Sequence, residues 1–198
     1  MNEAAQTSSS GLNKDKLIRY SLFFIVMTLY TLPMPIPFLG WNGIKVMPPP
    51  GLDGYLFLLV IHEFSGFMFF GHTLFSNIWA MRVRTIGDRE TGVMARSMLR
   101  IMALSITMPT SILTPLAGLM LVNKYFGGFE NAPWALHAYV AFWIMAVQQL
   151  VPDIIRYAVD THKDDPNRDV KQAAIRGIAS TFLTFYIIWC MVTKTTAF

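Results

Sequence analysis

Cysteine is nearly missing from this chain. Cys190 stands alone, so the sequence has no intramolecular disulfide and no cysteine cluster that holds zinc or an iron–sulfur centre. Charge is scarce too: Asp, Glu, Lys and Arg make up 14% of the residues, against about 25% in ordinary soluble domains. A net charge of +4 therefore speaks less for an anionic partner such as nucleic acid than for the topology of a membrane protein. What replaces charge is apolar surface, with 54% hydrophobic residues and a mean hydropathy of +0.43. The composition is that of an integral membrane protein folded as one bundle.

The strongest segment runs from Tyr55 to Met81 and is closed by Arg82 and Arg84. At about 1.5 Å per residue it spans roughly 40 Å, enough to cross a hydrocarbon core of ~30 Å. Its polar groups are not scattered. At about 100° per residue, His62, Ser65, Gly66, Phe69, His72, Thr73, Ser76, Asn77 and Ala80 fall within an arc of roughly 140°, and Glu63 alone clearly breaks the pattern. Side-chain donors and acceptors have no partners in lipid, so the arc is expected to face other helices or a cofactor.

Four further segments complete an all-α bundle of five expected transmembrane helices, at about 17–32, 55–81, 98–122, 133–157 and 173–192, behind a polar tail over 1–16. The run after that tail lacks a small-x-small cleavage site and reads as a retained helix. Between the first two helices lies PMPIPFLGWNGIKVMPPPGLD, a stiff proline-rich linker. The third segment contains Pro109 and Pro115, which are expected to kink it, and carries Thr107, Thr110, Ser111, Thr114 and Gly118 on one inward face. The fourth aligns His137, Ala141, Ile144 and Gln148, and the charged linker after it holds His162, read as a surface histidine. Of the sixteen Lys and Arg, thirteen fall on the side of the N-terminus and three on the other. By the positive-inside rule the N-terminus is cytoplasmic and the C-terminus outside, which in a bacterium means the inner membrane.

This topology sets depths. His62 lies about 10 Å and His137 about 5 Å below the outer ends of their helices, while His72 and Gln148 sit deeper, at levels similar to each other. Neutral imidazoles facing one another from different membrane helices suit the axial positions of haem b, and Phe and Leu walls suit the macrocycle. His62 with His137 is the expected ligand pair. His72 either serves a second haem or hydrogen-bonds Gln148 or a hydroxyl of the third segment, with Thr73, Thr107 and Ser111 as the other interior polar groups. The competing view is that the three histidines only join helices. Copper fits less well, because no Met-x-x-Met or His-x-His cluster appears.

One run carries a resemblance. From His62 to Arg84 a histidine is followed nine residues later by Gly71, then by an aromatic and basic exit; PLAGLMLV, Trp134 and Met191-x-x-Lys194 follow. The stretch from about Leu52 to Lys194 resembles small bacterial multi-helix membrane proteins related to the copper resistance protein D domain, including uncharacterised predicted integral membrane proteins, and its His-bearing helix is similar to that of the HemJ-type protoporphyrinogen oxidases. The resemblance implies that His62 ligates haem. It does not extend to the first helix, the proline-rich linker or the oxidases' other motifs, so it implies no oxidase activity. The expected function is haem b binding in electron transfer or membrane redox chemistry. The alternatives are an accessory subunit docked to a membrane or periplasmic protein partner, and a small transporter or copper-handling permease that uses deeper groups such as His72 and Gln148.

Overall fold

The computed structural model describes residues 17–18, 20–29, 31–86, 88–159 and 170–196; the polar tail and His162 lie outside them. Among the described residues the chain is helical, with no strand beyond an isolated bridge between Ile36 and Trp41. The helices are α1 (Tyr20–Leu29), α2 (Tyr55–Ile86), α3 (Arg89–Met102), α4 (Met108–Tyr125), α5 (Pro133–Val159) and α6 (Val170–Thr193). Three stretches among them, Tyr55–Val83, Ser105–Tyr125 and Ala174–Thr193, are long and apolar enough to cross a membrane.

Packing is mostly pairwise. α2 lies along α4, α5 lies along α6, and the two pairs touch each other far less. The buried centre belongs chiefly to α5, whose Ala135, Ala138, Ala141, Phe142, Met145 and Ala146 meet Phe69, Val122, Ile187 and Cys190 from the other helices. Small residues on that face let neighbouring backbones come close. The large outward side chains are apolar instead: Phe67 is 76% exposed and Phe182 is 72% exposed. Apolar residues at both centre and periphery are what a helix bundle in lipid requires.

The third expected segment differs from a single kinked helix. Its first residues belong to α3, which begins well before it and is capped by Asp88, whose Oδ2 accepts from the Thr91 amide at 2.9 Å and the Thr91 hydroxyl at 2.5 Å. Those two donors hold the Asp88 carboxyl below its ordinary range, the hydroxyl being the larger influence. Between α3 and α4, Ala103–Thr107 is a π-turn in which the Met108 amide reaches back to the Ala103 carbonyl. Pro109 accounts for its place. Its ring cannot donate to the carbonyl four residues back and collides with it, so the ladder changes register there. Pro115 is tolerated inside α4.

The proline-rich linker is tied down at one end of the bundle. The Asn123 amide donates to the Val46 carbonyl at 3.0 Å, and Lys124 forms an ion pair with Asp53. Lys124, first through that hydrogen bond and then through its charge, lowers the Asp53 carboxyl from its ordinary value. Gly43 is required within the linker, since its φ is +77° and an added Cβ would lie 2.4 Å from the Pro33 carbonyl oxygen.

Candidate functional site

The polar arc of α2 faces α4. Ser65 accepts a hydrogen bond from the Thr114 hydroxyl at 3.0 Å, and His72 Nδ1 shares one with Thr107 Oγ1 at 2.7 Å. Thr107 reaches His72 from the π-turn, so the register change set by Pro109 also places this contact. Thr73 bonds back to the Phe69 carbonyl within its own helix, as Ser111 does to that of Met108. Further along, Asn77 meets α6 at Gly177, where an added Cβ would stand 3.3 Å from its side chain.

His62 is the most tightly defined of the histidines. Its Nδ1 lies 2.7 Å from the backbone carbonyl of Thr114. A carbonyl can only accept, so Nδ1 carries the hydrogen, and in the neutral ring that apolar surroundings favour, Nε2 keeps its lone pair. The ring rests on Gly118: a Cβ there would lie 2.9 Å from His62 Cε1 and 3.1 Å from Nδ1. Helix, carbonyl and missing side chain together fix one imidazole in one tautomer.

That imidazole borders a half-open cavity of about 340 Å³ in the seam between the two helix pairs. α2 and α4 supply His62, Gly66, Phe70, Thr114 and Gly118 to its wall; α5 and α6 supply Ala138, Tyr139, Phe142, Ile187 and Met191. Glu63 also lines it, from the side of α2 that breaks the polar arc. The volume falls within the range of about 300–1,000 Å³ typical of small-molecule and cofactor sites, and the walls are predominantly apolar, as such sites are. A neutral nitrogen acceptor in this setting can ligate a metal or accept a hydrogen bond from a bound molecule.

The other expected residues lie elsewhere. His137 Nδ1 is 2.8 Å from the Tyr186 hydroxyl, joining α5 to α6, and His137 is not among the residues lining the cavity. Gln148 donates to Ser180 Oγ at 3.0 Å, and Gln149 donates to the same atom at 2.7 Å. Thus His62 pairs with α4 while His137 and Gln148 pair with α6, and no hydrogen bond joins His72 to Gln148 among the described residues. Among the described residues His72 Nε2 is buried without a hydrogen-bond partner.

Two features escaped the reading of the sequence. Gln149, one residue from the aligned face, shares the Ser180 site. Lys194, noted only as the end of a motif, places its ammonium 4.0 Å from the Trp134 ring and 5.1 Å from that of Phe126. A lone cation just past an apolar helix, with aromatic residues at the start of another, was the available signal. Compared with known proteins, the chain matches no family model, no curated protein and no solved structure.

Proposed function

We propose that this chain is a multi-pass membrane protein that holds haem b through His62 and serves electron transfer or related membrane redox chemistry. The observation that carries the reading is the state of His62, with its Nδ1–H tied to the Thr114 carbonyl, its ring seated on Gly118 and its remaining nitrogen free to ligate beside an apolar cavity. A hydrogen bond on one imidazole nitrogen that orients the other toward a metal is the general way proteins prepare such ligands. Phe70, Phe142 and Ile187 would contact the macrocycle, and Thr114 and Gly118 would hold the histidine. When bound, haem supplies one-electron chemistry whose potential follows its axial ligands and the polarity around them. His137 does not line the cavity, so this reading rests on His62 alone.

The same reading includes five membrane crossings, a cytoplasmic N-terminus, an outer C-terminus and a place in a bacterial inner membrane. It is supported by the three apolar spans and by the uneven distribution of Lys and Arg. An accessory-subunit role is favoured by one observation, the linker tip, where Phe38 is 86% exposed and Leu39 is 70% exposed.

The deciding experiment is an absorption spectrum of the detergent-purified protein, as isolated and after dithionite, for wild type and His62→Ala. A Soret band that shifts on reduction and disappears in the variant is expected. A folded, pure wild-type preparation without that band, even after incubation with haem, would sink the haem reading; co-purification with a partner in fixed ratio would then favour the accessory role.

A further inference from the structure

At the end of the cavity where α4 stops, α5 begins and α6 ends, one cation is held in an unusual way. Lys194 directly follows α6 and takes a left-handed conformation, φ +57°, which residues with a Cβ seldom adopt. Its amide still reaches the Cys190 carbonyl at 3.0 Å, closing the last turn of α6. The conformation turns the side chain over Trp134 and Phe126; none of these three lines the cavity, but they adjoin it through their neighbours Ala135, Val122 and Phe129, and the Lys194 charge is felt by the lining residue Glu63. Met191 and Val192, just before it, line the cavity themselves.

This ammonium has aromatic faces but, among the described residues, no carboxylate within ion-pair distance; the ion pair found there joins Lys124 to Asp53. Lys194 is exposed to solvent; the desolvation it does meet against the aromatic rings lowers its pKa from the ordinary value, and the more distant negative charge of Glu63 only partly opposes that effect. An exposed cation that rests on aromatic faces and has no carboxylate partner among the described residues can form a charge-assisted hydrogen bond with an anion delivered beside it. Glu63 does not reach it, although it borders the same cavity.

We infer that the molecule taken up by this cavity is an apolar body bearing a carboxylate, which Lys194 binds at the cavity mouth while the body lies beside His62. The inference deepens the haem reading, because haem carries two propionates, and it rests on that reading only for the identity of the apolar body. A fatty acid presents the same group. Glu63 then acts against the ligand's charge and limits how tightly an acid is held.

The test uses the full-length detergent-purified protein and two pairs of probes: haem against haem dimethyl ester, followed by absorption, and oleate against methyl oleate, followed by quenching of tryptophan fluorescence. In at least one pair the acid binds more tightly than the ester by about tenfold to a hundredfold, the range expected for a hydrogen bond to a charged group. Lys194→Met abolishes the preference, Lys194→Arg keeps it, and Glu63→Gln strengthens acid binding; should the Met variant fail to fold, Lys194→Gln replaces it. Preference confined to the oleate pair, with no haem binding, supports the carboxylate site and removes the haem reading. Equal binding of haem and its ester, with no preference for oleate, overturns the site and leaves the haem reading standing. A preference that survives in the folded Met variant, or no binding of any probe, also overturns it.

Discussion

Gly118→Ala adds one methyl carbon 2.9 Å from His62 Cε1, against a rigid ring rather than the loose end of a flexible chain. Something must move, and the ring is what the methyl meets. Displacing it breaks the 2.7 Å bond between Nδ1 and the Thr114 carbonyl. Overpacking costs about 1–3 kcal/mol, and a buried donor left without its acceptor a further ~1–3 kcal/mol. Removing a glycine from a helix returns about 0.5–1 kcal/mol. The net is a loss of about 3 kcal/mol, together with any property that depends on His62. The assay is a double-mutant cycle, with unfolding followed in detergent for Gly118→Ala, His62→Ala and the pair. Without the imidazole the methyl has room, so in the His62→Ala background Gly118→Ala should be neutral or slightly stabilising. Gly71→Ala, whose added carbon meets nothing within 4 Å, serves as the control and should be neutral or stabilising by up to about 1 kcal/mol. An equal cost for Gly118→Ala with and without His62 would refute the reasoning, because the penalty would then come from the backbone of α4 and not from the ring.

Ser180 is fully buried and accepts from both Gln148 and Gln149, so Ser180→Ala should destabilise the α5–α6 pair by about 1–3 kcal/mol, while Thr181→Ala, whose hydroxyl bonds only within α6, should cost little in the same denaturation assay. The Asp88 cap should make the first turn of α3 sensitive to acid. Its folded-state pKa lies below the ordinary 3.8, so its contribution is complete above that value and is lost as pH falls through the lower one. Hydrogen exchange at the Thr91 amide should therefore rise relative to the rest of α3 below about pH 3.8, and Asp88→Asn, which still caps but does not titrate, should remove that pH dependence.

The sequence was most informative where one helix repeats its polar positions at 3.6 residues. His62, Ser65, Gly66 and His72 could be assigned to one face without any partner in view, and that face lies on α4. The small and hydroxylated positions Thr107, Thr114 and Gly118 were legible in the same way. Rotation between helices was not. Counting residues from helix ends gives depth, which brought His62 and His137 into one half of the bundle, but their partners depend on how α5 is turned, and α5 presents His137 to Tyr186. Pro109 signalled a disturbance in the third segment, yet a kink and a π-turn arise from the same missing donor, and only the coordinates distinguish them. The aromatic seat of Lys194 was beyond reach because it joins residues about sixty apart in the chain through a left-handed backbone that no local pattern announces.

The pairing of α2 with α4 and of α5 with α6 also bears on how the protein is made. Each pair is contiguous or nearly so along the chain, so α2 can meet α4 before the second pair has been synthesised. The cavity draws its wall from both pairs, so it is complete only once α5 and α6 have joined α2 and α4. A chain interrupted between Tyr125 and Pro133 should therefore yield two fragments, each holding one helix pair, whose reunion builds the site.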